Sequence, residues 1–253
     1  HLIKLVWVFK VKRNGSLKSR LCVQGCAQTA GVDYDQTWSG TLRSTSLRCL
    51  ACLAARDNMR LRRWDFESAY LQGQLEEGEV VYCSAPAGYS KLDSDGNEMC
   101  CKVVKPIYGM AQAGRRWQRT LFGWLKEFGL EASLEDPCLF QLTRTMDTPD
   151  GPREEKIVIG VYVDDLACAY QYDDEHSLYH QFTTALQEWR VEDEGELTDL
   201  LGVDFSFEDG VVKLAQTRYI EKMVANHLPD GVSAASQRNQ VPFDKNIAQY
   251  VAD

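Results

Sequence analysis

Apolar and polar positions along the chain follow two periods. Leu5-Val6-Trp7-Val8-Phe9-Lys10-Val11 and Leu17-Lys18-Ser19-Arg20-Leu21-Cys22-Val23 are β-type runs, and the Asn14-Gly15 step between them is a strong hairpin signal. From Ser44 to Arg56 the spacing of Leu47, Leu50, Ala51 and Ala54 predicts an amphipathic helix, with Ser44 as its N-cap and Asp57-Asn58 at its end. Leu61 to Phe66 resumes as a strand, which puts Asp65 near a strand end, and Gly73 breaks the segment that follows. Residues 80–104 read as short strands interrupted by Pro86-Ala87-Gly88 and by the polar loop Asp93–Asn97. A long helix then carries the stripe Trp117, Leu121, Trp124, Leu125, Phe128 and stops at Gly129. That stripe reads as core. The Gln112 and Arg115-Arg116 positions at the helix entrance are more open to a functional role.

Between Lys156 and Tyr170 two apolar runs meet at Asp164-Asp165, which predicts a hairpin with the acids at its turn. Phe182, Leu186 and Trp189 mark another helix. Leu200–Phe205 with 210–214 marks another hairpin, and Tyr219, Ile220, Met223 and Val224 open a last helix. Beyond Pro229 the chain is polar and reads as linker. The order predicts an α+β layer, with helices against one face of a mainly antiparallel sheet.

Composition narrows the class without naming a chemistry. The chain has 253 residues, 44% hydrophobic and 26% charged, enough for one large domain or one domain with sub-lobes, with a substantial core. No apolar run reaches the roughly 18 residues that a membrane helix needs. Neither a secretory pattern nor an initiator Met stands at the start, so the chain is expected to be intracellular and to begin inside a longer polypeptide. The nine cysteines are odd in number and scattered, which suits reduced thiols. Cys49 and Cys52 are expected to pack in the core of their helix, and His176 and His180 to lie on a solvated face.

The net charge of −9 hides an asymmetry that changes the picture. Residues 1–63 carry 12 Lys/Arg against 3 Asp/Glu, while the remainder carries 16 against 34. A basic face on an acidic body is compatible with a polyanionic partner. Lys10, Lys12, Arg13, Lys18 and Arg20 decorate the first hairpin without an acid among them. Two readings stay open for it: a solubilising edge, or a basic flap that closes on phosphates.

The acids offer a more specific chemistry. Asp164-Asp165 alone could be an ordinary solvated turn. Together with Asp65 on a neighbouring strand, the pair would form the carboxylate cluster that bridges two hard cations in nucleotidyl transfer. No glycine-rich phosphate loop of the GxxxxGK or GxGxxG type is present.

In ordered blocks the chain resembles the reverse transcriptase domain of copia-type LTR retrotransposons. The blocks are Lys18–Gly25, Gly31–Ser39, Trp64-Asp65-Phe66-Glu67-Ser68-Ala69-Tyr70-Leu71-Gln72-Gly73, Ile107–Trp117, Tyr162-Val163-Asp164-Asp165, Leu201-Gly202 and Gln216–Ile220. YxDD alone is a weak signal; the ordered set is specific. The resemblance implies a right-hand polymerase of about residues 1–242, followed by a tail at 243–253. Fingers would span about 1–63 and 80–115, palm about 64–79 and 116–205, and the start of a thumb about 206–228.

The same resemblance implies RNA-directed and DNA-directed DNA synthesis, with Asp65, Asp164 and Asp165 as the catalytic, metal-binding acids. They would hold two Mg²⁺ ions, for which Mn²⁺ could substitute. Arg20, Lys12, Tyr70, Gln112, Tyr162 and Val163 would bind the deoxynucleotide, with Tyr70 closing off the sugar 2′ position. Leu201 and Gly202 would contact the primer. Implied partners are an RNA or DNA template with its primer, deoxynucleoside triphosphates, and the ribonuclease H and integrase segments of a parent Pol polyprotein, with no membrane. The implied compartment is a cytoplasmic virus-like particle. Gly114 and Ala111 depart from the Pro and Lys usual in the family. The alternative function is an inactive retroelement remnant that binds nucleic acid.

Overall fold

The computed structural model describes residues 2–11, 15–208 and 211–227. The chain divides into two compact units, His1–Leu197 and Thr198–Asp253.

The centre of the first unit is a six-stranded antiparallel sheet. Its strands are β4 (Arg60–Phe66), β7 (Glu131–Ala132), β8 (Leu139–Thr148), β9 (Gly151–Tyr162), β10 (Asp165–Tyr170) and β11 (Val191–Glu196). They lie in the order β11-β4-β10-β9-β8-β7. The short helix α2 (Ala69–Gln72) follows β4. Strand alternation gives this sheet two apolar faces. Trp64, Phe66, Ile157, Ile159, Val161, Leu166, Cys168 and Tyr170 point to one of them, where α3 (Ala113–Phe128) and α4 (Leu178–Leu186) supply Trp117, Leu121, Leu125, Leu178, Tyr179 and Phe182. Each such fully buried large side chain contributes about 1.5–3 kcal/mol relative to exposure.

The opposite face is also covered, which corrects the expectation of helices on one side only. Leu61, Val158, Ala167 and Ala169 alternate with the first set and are buried. The helix α1 (Ser44–Arg56) packs against β4, β9 and β10 through Leu47, Leu50, Ala51 and Ala54. A helix expected among the fingers, together with the first half of β4, is therefore part of the sheet layer.

Two local expectations at α1 are also corrected. Arg43, not Ser44, is the N-cap, and its amide N–H donates to Asp136 Oδ2 at 3.0 Å. Cys49 and Cys52 are exposed. With residues 47, 50, 51 and 54 filling the buried stripe, positions 49 and 52 fall on the far side of a 3.6-residue helix.

The basic hairpin forms as expected. Strands β2 (Leu5–Val11) and β3 (Leu17–Val23) pair antiparallel, with Val8 opposite Arg20 and Lys10 opposite Lys18. At its base, β1 (Leu2–Ile3), β5 (Tyr82–Ser84) and β6 (Cys100–Lys102) form a small sheet over a second core of Ile3, Val23, Val81, Cys83, Val103, Met110 and Ala113. Gly109 fixes the junction. Its φ is +91°, the Val23 amide donates to Tyr108 O at 2.8 Å, and a Cβ at Gly109 would stand 2.1 Å from Val23 O. Only glycine allows that approach in that conformation.

The second unit carries a three-stranded antiparallel sheet of β12 (Asp199–Leu200), β13 (Val203–Glu208) and β14 (Val211–Ala215), followed by α5 (Thr217–His227). The expected hairpin and last helix are both present. Tyr219, Ile220, Met223 and Val224 share one exposed face of α5. The first unit closes at Leu197, inside the stretch expected to be palm.

Candidate active site

The acid turn is built by the pairing of β9 with β10. Tyr162 lies opposite Asp165, so the hairpin loop is only Val163-Asp164. Val163 has φ +56°, while Asp164 is not among the positive-φ residues. A β-branched residue in the left-handed region is an outlier that costs of order 1–3 kcal/mol and persists only when its surroundings over-determine it. Here they do. The Trp117 indole N–H donates to Val163 O at 2.6 Å, and the Phe66 amide donates to Asp164 O at 2.8 Å. Both donors belong to the dense aromatic core, where the Phe66 and Trp117 rings meet edge-on at 5.0 Å. Trp117 thus belongs to the core, as read from the sequence, and also locks the turn, which a stripe of apolar residues does not reveal.

Register brings the acids together. Asp165 of β10 lies directly opposite Asp65 of β4, and the hydrogen bond from Phe66 to Asp164 O ties the turn to the end of β4. Like charges directly across a sheet repel. Burial, followed by the charges of Asp164, Asp165 and Glu194, pushes the Asp65 carboxyl up to about 6 against the opposing pull of Arg63. Hard oxygen donors that crowd one another suit Mg²⁺ or Mn²⁺, and Mg²⁺ is usually held by one or two carboxylates plus substrate phosphates. Among the described residues, no three His, Cys, Asp or Glu side chains gather closely enough to grip an ion by themselves. Asp165 is engaged instead by Arg63, whose Nη2 and Nε donate to its Oδ1 at 2.7 and 3.0 Å.

Cationic groups face the acids across a pocket of about 420 Å³. Asp65 and Asp164 line it together with Lys18, Arg20, Ser68, Leu71 and Tyr108. The Arg20 guanidinium sits 4.7 Å above the Tyr108 ring, and Tyr108 stands 4.8 Å from the Tyr70 ring. Burial and the Asp164 charge raise the Tyr70 hydroxyl above its ordinary value, against the pull of Arg20. Lys18 was read from the sequence only as one of the basic residues of the first hairpin, and Tyr108 and Ser68 were not singled out. Tyr108 lay inside a quoted block, but nothing local distinguishes it from a packing residue.

The other expected site residues are distributed less simply. Tyr70 and Val163 line a neighbouring cavity of about 40 Å³ with Trp117 and Gly114. Tyr162 flanks Asp165 by register. Gln112 does not line this pocket. Its side chain is 0% exposed, donates to Asp33 O and Glu79 Oε1, and accepts from Gln28 Nε2. A buried amide so engaged would have to break these bonds to meet a ligand. Arg116 is likewise buried, paired with Glu76 and Glu79. Lys12 lies outside the described residues. Leu201 and Gly202 form the turn between β12 and β13 in the second unit, with φ of +54° and +74°.

Part of the expected basic region is neutralised within the sheet: Arg62 pairs with Asp193, Arg63 with Asp165 and Glu194, and Arg60 with Asp173. Lys18 and Arg20 of the hairpin face the pocket.

The model of the family described as reverse transcriptase (RNA-dependent DNA polymerase) matches residues 1–234. The chain belongs to the reverse transcriptase family. This reverse transcriptase domain is of the copia type. It is 33% identical over 224 residues to the retrovirus-related Pol polyprotein from transposon RE1 of Arabidopsis thaliana, which covers 87% of the chain and 14% of that protein. It is 28% identical over 229 residues to the Pol polyprotein from transposon TNT 1-94 of Nicotiana tabacum, covering 88% of the chain and 16% of the relative. A yeast relative, the transposon Ty1-BL Gag-Pol polyprotein of Saccharomyces cerevisiae, is 23% identical over 215 residues, 83% of the chain and 11% of that polyprotein. The reverse transcriptase domain therefore spans a small part of the polyproteins it matches. Among its described residues no helix is long and apolar enough to cross a membrane.

Proposed function

We propose that this chain is the polymerising segment of a transposon Pol polyprotein and extends a primer with deoxynucleotides on an RNA or a DNA template. The observation that carries the reading is the pocket in which Asp65 and Asp164 face Arg20 and Lys18. A deoxynucleoside triphosphate has the complementary pattern: an α-phosphate to be approached over the acids and β- and γ-phosphates to be held by cations. Base pairing supplies the sequence information, and the protein supplies position and charge.

In this reading Asp65, Asp164 and Asp165 hold divalent ions, Mg²⁺ with Mn²⁺ as a substitute. Such ions, when bound, lower the barrier by favouring the primer alkoxide and the leaving pyrophosphate. Arg20 binds the triphosphate, its guanidinium already oriented by the Tyr108 ring beneath it. Lys12 is proposed to assist in binding the triphosphate. Tyr70, packed beside Tyr108, fills the space a ribose 2′-hydroxyl would need. Tyr162 and Val163 hold the shape of the turn, and Leu201-Gly202 contacts the primer.

Residues 1–242 make up the polymerase domain. We assign the basic hairpin to the fingers and the six-stranded sheet, with α1, to the palm; the thumb starts at about 206–228, and 243–253 form a tail. Because the relatives are transposon Pol polyproteins, we infer that ribonuclease H and integrase segments are its partners and that a cytoplasmic virus-like particle is its compartment.

Primer extension on poly(rA)/oligo(dT) with Mg²⁺ tests the reading, comparing the parent with an Asp164→Asn/Asp165→Asn variant. Synthesis by the parent that is lost in the variant is expected. A folded parent that binds primer-template yet extends nothing would mark an inactive remnant instead.

A further inference from the structure

We propose that Arg63 is a positioning residue: a built-in counter-ion that occupies Asp165 until a divalent cation arrives, and then transfers its pairing to Glu194. The inference rests on the polymerase reading above, since it concerns the same acids.

The geometry comes from the sheet. Strand alternation puts Arg63 and Asp65 on one face of β4, two residues apart, and register puts Asp165 opposite Asp65 on that face. Arg63 directs both Nη2 and Nε at Asp165 Oδ1, and the same Nε stands 3.1 Å from Glu194 Oε2. The Arg63 and Asp165 side chains are only 21% and 18% exposed, so their attraction is less screened than a surface pair's.

Glu194 owes its place to an irregularity. On β11 the pairing with β4 passes from Asp193 opposite Trp64 to Gly195 opposite Arg63, so Glu194 is the extra residue of a β-bulge. Bulges re-aim a side chain next to functional sites. Here the bulge brings a fourth carboxylate to the guanidinium that also touches Asp165.

Electrostatics sets the direction of the effect. A dication near Asp165 and the Arg63 charge repel each other, and both compete for the same carboxylate. If Arg63 had only Asp165 as partner, releasing it would strand a partly buried cation, which is costly. Glu194, already 3.1 Å away, takes it over with little movement. Arg63 thus keeps the repelling acids in register before the ion binds, and Glu194 lowers the cost of letting go.

The test measures Mn²⁺ binding by electron paramagnetic resonance on the whole chain, with Mn²⁺ alone as the probe, beside thermal melting without divalent ions. Arg63→Gln is expected to melt earlier and yet bind Mn²⁺ roughly two- to five-fold tighter, the size of a partly screened ion pair. Arg63→Lys should stay near the parent in both. Glu194→Gln should weaken Mn²⁺ binding in the parent and do so less in the Arg63→Gln background. A purely structural Arg63 would lower melting temperature and Mn²⁺ affinity together, and that result in a folded Arg63→Gln protein overturns the inference. Should Arg63→Gln fail to fold, an unchanged Mn²⁺ affinity in Glu194→Gln overturns it equally. If Asp65→Asn leaves Mn²⁺ binding untouched, these acids hold no ion, and the polymerase reading falls together with the inference.

Discussion

Two hairpins meet at the candidate site, and they are held in opposite ways. The acid hairpin of β9 and β10 is central in its sheet and packed on both faces, and its strained Val163 turn is fastened by Trp117 and Phe66. The basic hairpin of β2 and β3 is a two-stranded ribbon whose outer residues are open: Phe9 is 74% and Leu17 86% exposed. It is anchored at its base, where β3 runs against Gly109 and Tyr108. The acids are thus positioned by the core before any ligand is present, whereas the cations ride on a ribbon anchored at its base. Chemistry that needs sub-ångström placement of carboxylates and a closing electrostatic clamp would be divided in this way.

Changes in the acid turn should therefore cost stability and turnover together, while changes in the basic hairpin should cost nucleotide binding alone. Trp117→Phe is the strongest test of the first half. It removes the indole donor from Val163 O and leaves a gap beside Phe66, so we expect about 2–3 kcal/mol of lost stability by denaturant melting and a fall in kcat. Retained stability and turnover would mean that the strained turn holds without its core fastening.

Arg20→Ala tests the other half. The deoxynucleotide KM is expected to rise by roughly 10- to 50-fold, as for loss of a charge-assisted phosphate contact, with stability unchanged to within about 0.5 kcal/mol. A large drop in melting temperature would show that the hairpin is braced through Arg20 and Tyr108 and is not an independent arm.

The smallest effect is on pH. The Asp65 carboxyl is raised from 3.8 to about 6, so between those values the folded chain holds a proton that the unfolded chain has released. Its contribution to stability is therefore favourable at low pH and is lost as pH rises through that window. Mn²⁺ needs the ionised form, so binding should weaken by up to about ten-fold per unit below pH 6. Both trends should flatten in Asp65→Asn. If the Mn²⁺ profile of the parent is flat from pH 5 to 7, Asp65 is not the group that couples the proton to the ion.

Much of this architecture could be read from residue order alone. Apolar periodicity gave α1, α3 and both hairpins near their observed limits, because each element has to bury a stripe or a face that its own sequence declares. The acid pair was placed at a turn for the same reason, and the ordered blocks pointed to the family that the comparisons bear out. The misreadings share a cause. Ser44 and the pair Cys49 and Cys52 have side chains whose local chemistry permits either of two fates, and what decides between them lies elsewhere in the fold. Arg43 finds Asp136.

The sequence by itself determined which segments are helix and strand, where three carboxylates stand along the chain, and which family they belong to, since these depend on local periodicity and ordered motifs. Only the tertiary structure decided that Asp65 lies opposite Asp165, that Trp117 locks the turn, that Arg20 rests on Tyr108, and that a bulge brings Glu194 to Arg63. Register, strand order and a one-residue slip set these contacts. They are properties of elements paired across a hundred residues of chain, where no local pattern can specify them.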